Sequence, residues 1–105
     1  MLSICIPVFN YNISPLVECL NQQASKEGIA YEFLIADDAS TMDMTGVYHS
    51  LSKYPEVKVI LSETNLGRAA IRNLLASKAK YPFLLFLDSD TMPVDDTFIS
   101  KYINA

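Results

Sequence analysis

The sequence predicts an α/β fold with an open, mostly parallel sheet and helices on both faces. Four short apolar segments of strand length lie at residues 3–9, 31–36, 57–61 and 83–87. They are hydrophobic almost throughout and do not alternate with polar residues, which is typical of parallel strands covered on both sides. Segments with helical spacing separate them, so the predicted order alternates strand and helix along the whole chain.

The segments between the strands have the period and end signals of helices. These predicted helices cover residues 14–27, 42–53, 67–80 and the segment from residue 95 onward. Ser14 is a candidate cap for the first, and Ser40 or Thr41 for the second. We find no internal repeat, linker or low-complexity tract.

Length and composition limit the class of protein. The chain has 105 residues and 11.7 kDa, which predicts one domain over residues 1–105. Half of the residues are hydrophobic and 19% are charged, a balance typical of a folded protein with a buried core. The net charge of −4 argues against binding to nucleic acid, which needs a basic surface.

The two cysteines and the beginning of the sequence indicate the cellular compartment of the protein. Cys5 and Cys19 are too few for a disulfide scaffold, and Cys5 lies in an apolar run, where a buried reduced thiol is expected. Residues 1–105 contain neither a signal-peptide pattern nor an apolar run of membrane-spanning length. We expect a cytoplasmic protein, with the inner face of the membrane as the second location for a longer form that has a membrane segment after Ala105.

Polar side chains follow the predicted strands, where open α/β sheets bind their ligands. The first strand ends at Pro7 to Asn10, the second at Asp37 and Asp38, and the fourth at residues 88–90. Each polar residue alone also has a structural interpretation, since Asp and Asn often cap helices. If the acids share one edge of the sheet, they repel one another unless a cation or hydrogen-bond donors compensate.

The triplet Asp88-Ser89-Asp90 directly follows a strongly apolar strand. In extended backbone, residues two apart point the same way and lie about 7 Å apart, so both carboxylates can hold one cation. Oxygen ligands favour Mg²⁺ or Mn²⁺, and Mg²⁺ is usually bound by one or two carboxylates together with substrate phosphates. The pattern therefore predicts a site for a divalent cation and a diphosphate.

Arg68 and Arg72 lie four residues apart near the start of the third predicted helix, a placement that suits an anionic ligand. A solvated cationic surface is the alternative interpretation of this pair. The sequence lacks the glycine-rich fingerprints of dinucleotide sites and P-loops, and its three glycines are too few for such a phosphate cradle.

Four ordered motifs resemble the amino-terminal half of family 2 glycosyltransferases of the GT-A fold. They are SICIPVFN at 3–10, FLIADDAS at 33–40, NLGRAAIRN at 65–73 and FLDSD at 86–90. The resemblance covers nearly the whole chain. It implies a nucleotide-diphosphate-sugar donor, most commonly a UDP-sugar, a glycan or lipid-linked acceptor, and a role in cell-surface polysaccharide biosynthesis.

The resemblance also implies roles for individual residues. The segment with Pro7, Phe9 and Asn10 lines the nucleoside pocket, and Asp38 contacts the base. Arg72 approaches the nucleotide. Asp88 lies by the ribose and the metal, and Asp90 coordinates the Mn²⁺ or Mg²⁺ that bridges the diphosphate. The implied reaction is a single displacement with inversion at the sugar.

In this family the general base and the acceptor region follow the D-x-D motif, whereas this chain ends at Ala105, fifteen residues after Asp90. Asp95 and Asp96 come too soon to match that base. We therefore expect a fragment that is inactive alone, with its general base beyond Ala105. The alternatives are a non-catalytic nucleotide or nucleotide-sugar binding module and, with much less support, a phosphoacceptor receiver domain.

The implied strand order is 3-2-1-4, with a strand of the missing half beside residues 83–87. Without that strand the edge is bare, and a bare apolar edge can pair with another chain. We expect self-association through this edge.

Overall fold

The computed structural model describes residues 1–91 and 98–103, in which strands and helices alternate. The elements are β1 (Leu2–Val8), α1 (Ser14–Lys26), β2 (Tyr31–Asp38), α2 (Thr45–Leu51), β3 (Val57–Ser62), α3 (Arg68–Lys78), β4 (Phe83–Phe86) and α4 (Phe98–Ile103). The predicted order is confirmed. The last predicted helix was expected from residue 95 to the end of the chain, and its residues 95–97, 104 and Ala105 lie outside the described residues.

The four strands form one parallel sheet in the order β3-β2-β1-β4. β1 is central, and its Ile4 lies beside Phe33 of β2 on one side and Leu85 of β4 on the other. This confirms the predicted α/β class and strand order. Among the described residues β4 forms one edge of the sheet, and its Phe83 is 61% exposed.

Helices cover both faces of the sheet. Successive side chains of a strand point to opposite sides, so each strand contributes to the core on each face. Leu2, Ile4, Ile6 and Val8 of β1 pack in the larger core, which α1, α2 and α4 cover. Cys5 lies in the smaller core on the other face, which α3 covers with Ile71 and Leu75. The same alternation sends Asp37 and Asp38, the last two residues of β2, to opposite faces.

Three predicted helix caps are wrong. Ser14 already belongs to α1, and its N–H donates to Asn12 Oδ1 at 3.0 Å. α2 begins at Thr45, after Met44, so neither Ser40 nor Thr41 caps it. No helix within residues 1–91 and 98–103 is long and apolar enough to cross a membrane.

Pro7 lies just beyond the end of the pairing between β1 and β4. The N–H of Leu2 faces β2, whereas the carbonyl of Cys5 faces β4 and accepts from Leu87 N at 3.0 Å. Backbone groups alternate sides, so the nitrogen of Pro7 also faces β4, where pairing has ended at Cys5 and Phe86. A proline has no N–H to leave unpaired there.

A buried carboxylate that the sequence patterns did not reveal ties the amino ends of the strands together. Glu32 Oε2 accepts from Ser3 Oγ and from Lys80 N, both at 2.7 Å. Its Oε1 lies 3.8 Å from Lys58 Nζ, an ion-pair distance. Burial and then the charge of Glu32 raise the pKa of the Cys5 thiol to about 11. Cys5 is therefore the buried, protonated thiol that the sequence predicted.

Candidate functional site

A cleft of about 400 Å³ lies at the carboxyl ends of β1, β2 and β4, beside the start of α3. Its lining residues come from the strand ends and from one helix: Pro7, Val8, Phe9, Asp38, Arg68, Ile71, Arg72, Phe86, Leu87, Asp88 and Ser89. Five of the residues predicted for substrate binding line it, namely Pro7, Phe9, Asp38, Arg72 and Asp88. Asn10 and Asp90 are not among the lining residues.

The end of β1 forms one wall of the cleft. Pro7 is held in the sheet beside Ala36, and Phe9 follows it with half of its surface exposed. An exposed aromatic side chain next to a rigid proline offers a flat apolar surface, which suits a nucleobase or another planar group.

Asp38 fixes the start of α3 from below. Its side chain is 7% exposed, and its Oδ1 and Oδ2 accept from Leu66 N at 2.6 Å and Gly67 N at 3.1 Å. Gly67 is the residue before the first turn of α3, with φ of 85°. Asp38 therefore orients the helix that carries both arginines, a role that comes in addition to any contact with a ligand.

Asp37 faces the opposite side of the sheet and contacts α2. Its Oδ1 accepts from Ser40 N at 2.7 Å, and its Oδ2 accepts a short hydrogen bond from the Tyr48 hydroxyl. Burial, followed by this bond to a carboxylate, raises the pKa of Tyr48, so the hydroxyl stays a protonated donor at neutral pH. Hydrogen-bond donors thus compensate both acids at the end of β2.

Asn10 joins two loops and does not line the cleft. Its Oδ1 accepts from Thr41 N at 2.8 Å and Met42 N at 2.9 Å. These bonds connect the loop after β1 to the segment before α2, which begins at Thr45. The assignment of Asn10 to substrate binding stays a prediction, and its contacts in the structure are structural.

The two arginines of α3 reach the cleft from the same side. The Arg72 guanidinium lies over the ring of Phe86, with 4.7 Å from Cζ to the ring centre. Arg68 Nη2 lies 3.6 Å from Asp88 Oδ1, and both side chains are largely exposed. The cleft therefore has two positive charges next to an acid, an arrangement that can bind an anion together with a cation.

Asp88 and Asp90 follow β4, and both are exposed. The segment is not extended as the sequence predicted, because Thr91 N donates to Asp88 O at 3.0 Å and closes a turn over residues 88–91. The same-side placement expected of two carboxylates along a strand is therefore wrong here. Within residues 1–91 and 98–103, no group of three or more His, Cys, Asp and Glu side chains is placed to hold a metal ion. Two carboxylates still fit a hard cation that takes its other ligands from a diphosphate and water. The donor set therefore fits Mg²⁺ or Mn²⁺ in the presence of such a ligand.

The general base is the one part of the predicted site that no residue of this chain was expected to supply. Its predicted place is beyond Ala105, the last residue of the sequence. Asp95, Asp96 and Ala105 all lie outside the described residues. The position of the base therefore stays a prediction, and the cleft is described from its donor-binding side.

The sequence patterns missed two features of this site. One is the contact between Arg68 and Asp88, which depends on how close the start of α3 lies to the end of β4. The other is Tyr48, whose spacing indicated only a partly apolar helix face. Neither has a sequence motif, because both are set by packing between elements distant in sequence.

The fold and the cleft together define an α/β domain with a cleft at the carboxyl edge of a parallel sheet, between an arginine-bearing helix and an acidic strand end. The sequence pattern of the family described as Glycosyl transferase family 2 matches residues 3–105. The chain belongs to this family. The predicted family and fold class are therefore confirmed, and the receiver-domain alternative is not supported.

Relatives with described functions include enzymes of polysaccharide synthesis. The chain is 34% identical over 108 residues to an uncharacterized glycosyltransferase of Haemophilus influenzae, covering 99% of this chain and 41% of that protein. It is 33% identical over 94 residues to the amylovoran biosynthesis glycosyltransferase AmsB of Erwinia amylovora, covering 84% and 30%. The chain thus spans about two fifths or less of the length of these relatives.

Solved structures share the same fold. Residues 1–349 of S. aureus TarS in complex with UDP-GlcNAc superpose with a TM-score of 0.73 at 25% identity, covering 98% of this chain and 30% of that one. The mannosyltransferase PcManGT of Pyrobaculum calidifontis, in complex with GDP-Man and Mn²⁺, gives a TM-score of 0.76 at 16% identity, covering 97% and 31%. The second likeness concerns the fold alone.

Proposed function

We propose that this chain forms the donor site of a family 2 glycosyltransferase, which transfers a sugar from a nucleotide-diphosphate sugar to an acceptor hydroxyl with inversion and with a divalent cation. The observation that carries the proposal is the meeting of Arg68 and Arg72 with Asp88 in one cleft at the carboxyl ends of the strands. A diphosphate with a bound cation has the charges that such a cleft complements.

Within this proposal the nucleoside lies against Pro7 and Phe9, with Asp38 at the base. Phe9 offers an exposed ring, and the buried Asp38 retains unused lone pairs after accepting two backbone N–H groups. Support for a uridine nucleotide comes from TarS, which has been crystallised with UDP-GlcNAc.

Arg72, Asp88 and Asp90 are proposed to bind the diphosphate and its cation. Arg72 is already oriented over Phe86, so less freedom is lost when its guanidinium binds a phosphate oxygen. Asp88 and Asp90 would hold the cation, which is supported by their oxygen-only chemistry. When bound, such an ion supplies positive charge that stabilises a departing diphosphate.

In the proposed reaction the acceptor hydroxyl attacks the anomeric carbon while the nucleoside diphosphate leaves from the other face of the sugar. Arg68 and Arg72 add fixed positive charge on the leaving-group side. The base that takes the proton of the acceptor hydroxyl is proposed to lie beyond Ala105, so we assign that role to no residue of this chain.

The acceptor and the location follow from weaker observations. The acceptor is proposed to be a glycan or a lipid-linked glycan, as the polysaccharide relatives suggest. The proposed location is the cytoplasm, which the free thiols Cys5 and Cys19 support.

Calorimetry with UDP, and with GDP in parallel, tests the donor site. We expect UDP to bind in the presence of Mn²⁺ and to lose affinity when EDTA replaces the metal. Asp90→Asn removes a charged ligand without changing the side-chain shape, and we expect roughly a tenfold to hundredfold loss. Glu63→Gln is the matched control, because Glu63 is an exposed carboxylate outside the cleft.

Two results would contradict the proposal. One is equal affinity for UDP with Mn²⁺ and with EDTA, which would remove the cation from the site. The other is an equal loss in Asp90→Asn and Glu63→Gln, which would reduce the role of Asp90 to general electrostatics.

A further inference from the structure

A chain of hydrogen bonds crosses the carboxyl end of the sheet from α2 to the loop that follows β1. The Tyr48 hydroxyl donates to Asp37 Oδ2, and Asp37 Oδ1 accepts from Ser40 N at 2.7 Å. Ser40 Oγ in turn accepts from Asn10 N at 2.9 Å. Each link joins a different element, so the chain couples α2, the end of β2 and the end of β1.

The last link is reinforced by the side chain of Asn10. Its amide oxygen accepts from Thr41 N and Met42 N, and its Nδ2 donates to Thr41 Oγ1 at 2.9 Å. With the Ser40 bond, four hydrogen bonds connect the loop after β1 to the loop after β2. These bonds therefore fix the position of one loop relative to the other.

Both loops contain a residue in the left-handed region of the backbone map, where side chains other than glycine are disfavoured. Asn10 has φ of 53° and Ala39 has φ of 59°. Such conformations persist only where surrounding bonds hold them, and the bonds of Asn10 and Asp37 do so here. Phe9, which lines the cleft, directly precedes Asn10. The direction of the Phe9 ring thus depends on the geometry that the hydrogen-bond chain maintains.

We propose that Tyr48 is a positioning residue for the nucleotide cleft, acting through Asp37, Ser40 and Asn10 to hold Phe9 against the ligand. The inference rests on the proposed function of the cleft. Tyr48 lies on α2, on the other face of the sheet from α3, and does not line the cleft. Its hydroxyl donates to Asp37 Oδ2, and burial followed by this bond to a carboxylate raises the pKa of Tyr48.

The test compares Tyr48→Phe with Ser3→Ala in the 105-residue chain. Both changes delete a hydroxyl that donates to a buried carboxylate, Asp37 in one case and Glu32 in the other. Ser3 lies at the opposite end of the sheet, so its variant reports general destabilisation without contact to the cleft. Ser40→Ala is the second variant that interrupts the series of hydrogen bonds. It removes only the bond from Asn10 N to Ser40 Oγ and leaves the bond between Tyr48 and Asp37 intact.

Two quantities are measured for each variant: the amide resonances of Phe9 and Asn10 in ¹H–¹⁵N spectra without ligand, and the Kd for UDP with Mn²⁺. We expect Tyr48→Phe and Ser40→Ala to shift both resonances and to weaken UDP binding by roughly three- to tenfold. Ser3→Ala should leave the resonances and the Kd unchanged while lowering thermal stability. If Tyr48→Phe fails to fold, Ser40→Ala alone decides.

The outcomes separate this inference from the proposed function. Failure of the unaltered chain to bind UDP or GDP would refute the donor site, and the inference with it. If the unaltered chain binds but the variants keep its Kd, the positioning role alone is refuted. It is also refuted if Kd rises while the resonances of Phe9 and Asn10 stay in place, since the effect then does not travel through the hydrogen-bond chain.

Discussion

The adjacent acids Asp37 and Asp38 should lose different amounts of stability on the same substitution. Both are buried and both accept two hydrogen bonds through their carboxylates. The partners of Asp38 are two backbone N–H groups, which can only donate. One partner of Asp37 is the Tyr48 hydroxyl, which can donate or accept. An asparagine at position 37 can therefore keep both bonds, whereas one at position 38 can keep only one.

The size of the difference follows from these bonds. In Asp38→Asn the amide NH₂ faces Leu66 N or Gly67 N, so one charge-assisted bond is lost and a buried donor is left unpaired, at a cost of about 2–4 kcal/mol. In Asp37→Asn the Tyr48 hydroxyl turns to accept, and only the charge assistance is lost, about 1 kcal/mol. A domain of this length has about 5–15 kcal/mol of stability, so both variants should fold.

Urea unfolding followed by circular dichroism measures the difference, since the chain has six tyrosines and no tryptophan to report by fluorescence. We expect a lower free energy of unfolding for Asp38→Asn than for Asp37→Asn, by at least about 1 kcal/mol. Because Asp38 orients the start of α3, its variant should also bind UDP more weakly. Equal losses of stability, or a larger loss in Asp37→Asn, would refute the reasoning.

Two further predictions concern the arginines and the sheet edge. Arg72→Met should weaken UDP binding by roughly tenfold and Arg68→Met by less. The reason is that Arg72 is oriented over Phe86, whereas Arg68 is already paired with Asp88. Calorimetry that finds an equal or larger loss of affinity in Arg68→Met contradicts this ranking. The exposed edge of β4 should make the protein self-associate, so sedimentation at micromolar concentration should give a species heavier than 11.7 kDa. Phe83→Lys puts a charge at an exposed position of that edge and should restore the monomer. A monomeric unaltered protein would exclude self-association through this edge.

The sequence predicts the architecture well because that information is local. Each strand is mostly apolar, although β2 ends in Asp37 and Asp38 and β3 contains Lys58. Each parallel connection is long enough to contain a helix, so the class and the element order follow from period and length. Helix ends are predicted less well. α2 starts at Thr45, three residues later than its pattern predicted. The bonds of Thr41 N and Met42 N to Asn10 just before it join residues distant in sequence, and no pattern near α2 reveals that contact.

The features of the site likewise divide into those that follow from local sequence and those that depend on packing between distant elements. The placement of Pro7, Phe9 and Asp88 at strand ends follows from strand boundaries alone, and the structure brings all three into the cleft. The different hydrogen-bond partners of Asp37 and Asp38 do not follow from strand boundaries, because they depend on which helix covers which face of the sheet. Alternation along β2 places them on opposite faces, but only the packing of α2 and α3 gives each its partners.

The charge balance of the cleft bears on the proposal that an acidic protein binds an anionic ligand there. Asp37 and Asp38 accept hydrogen bonds from donors within the fold, which stabilise their negative charges without cancelling them. The exposed groups that remain are Asp88 and Asp90 against Arg68 and Arg72, which sum to about zero. Such a cleft has no net attraction for a diphosphate by itself, whereas the two acids together with a divalent cation leave the arginines in excess. The proposed site should therefore depend on metal for affinity, and the EDTA arm of the calorimetry measures that dependence directly.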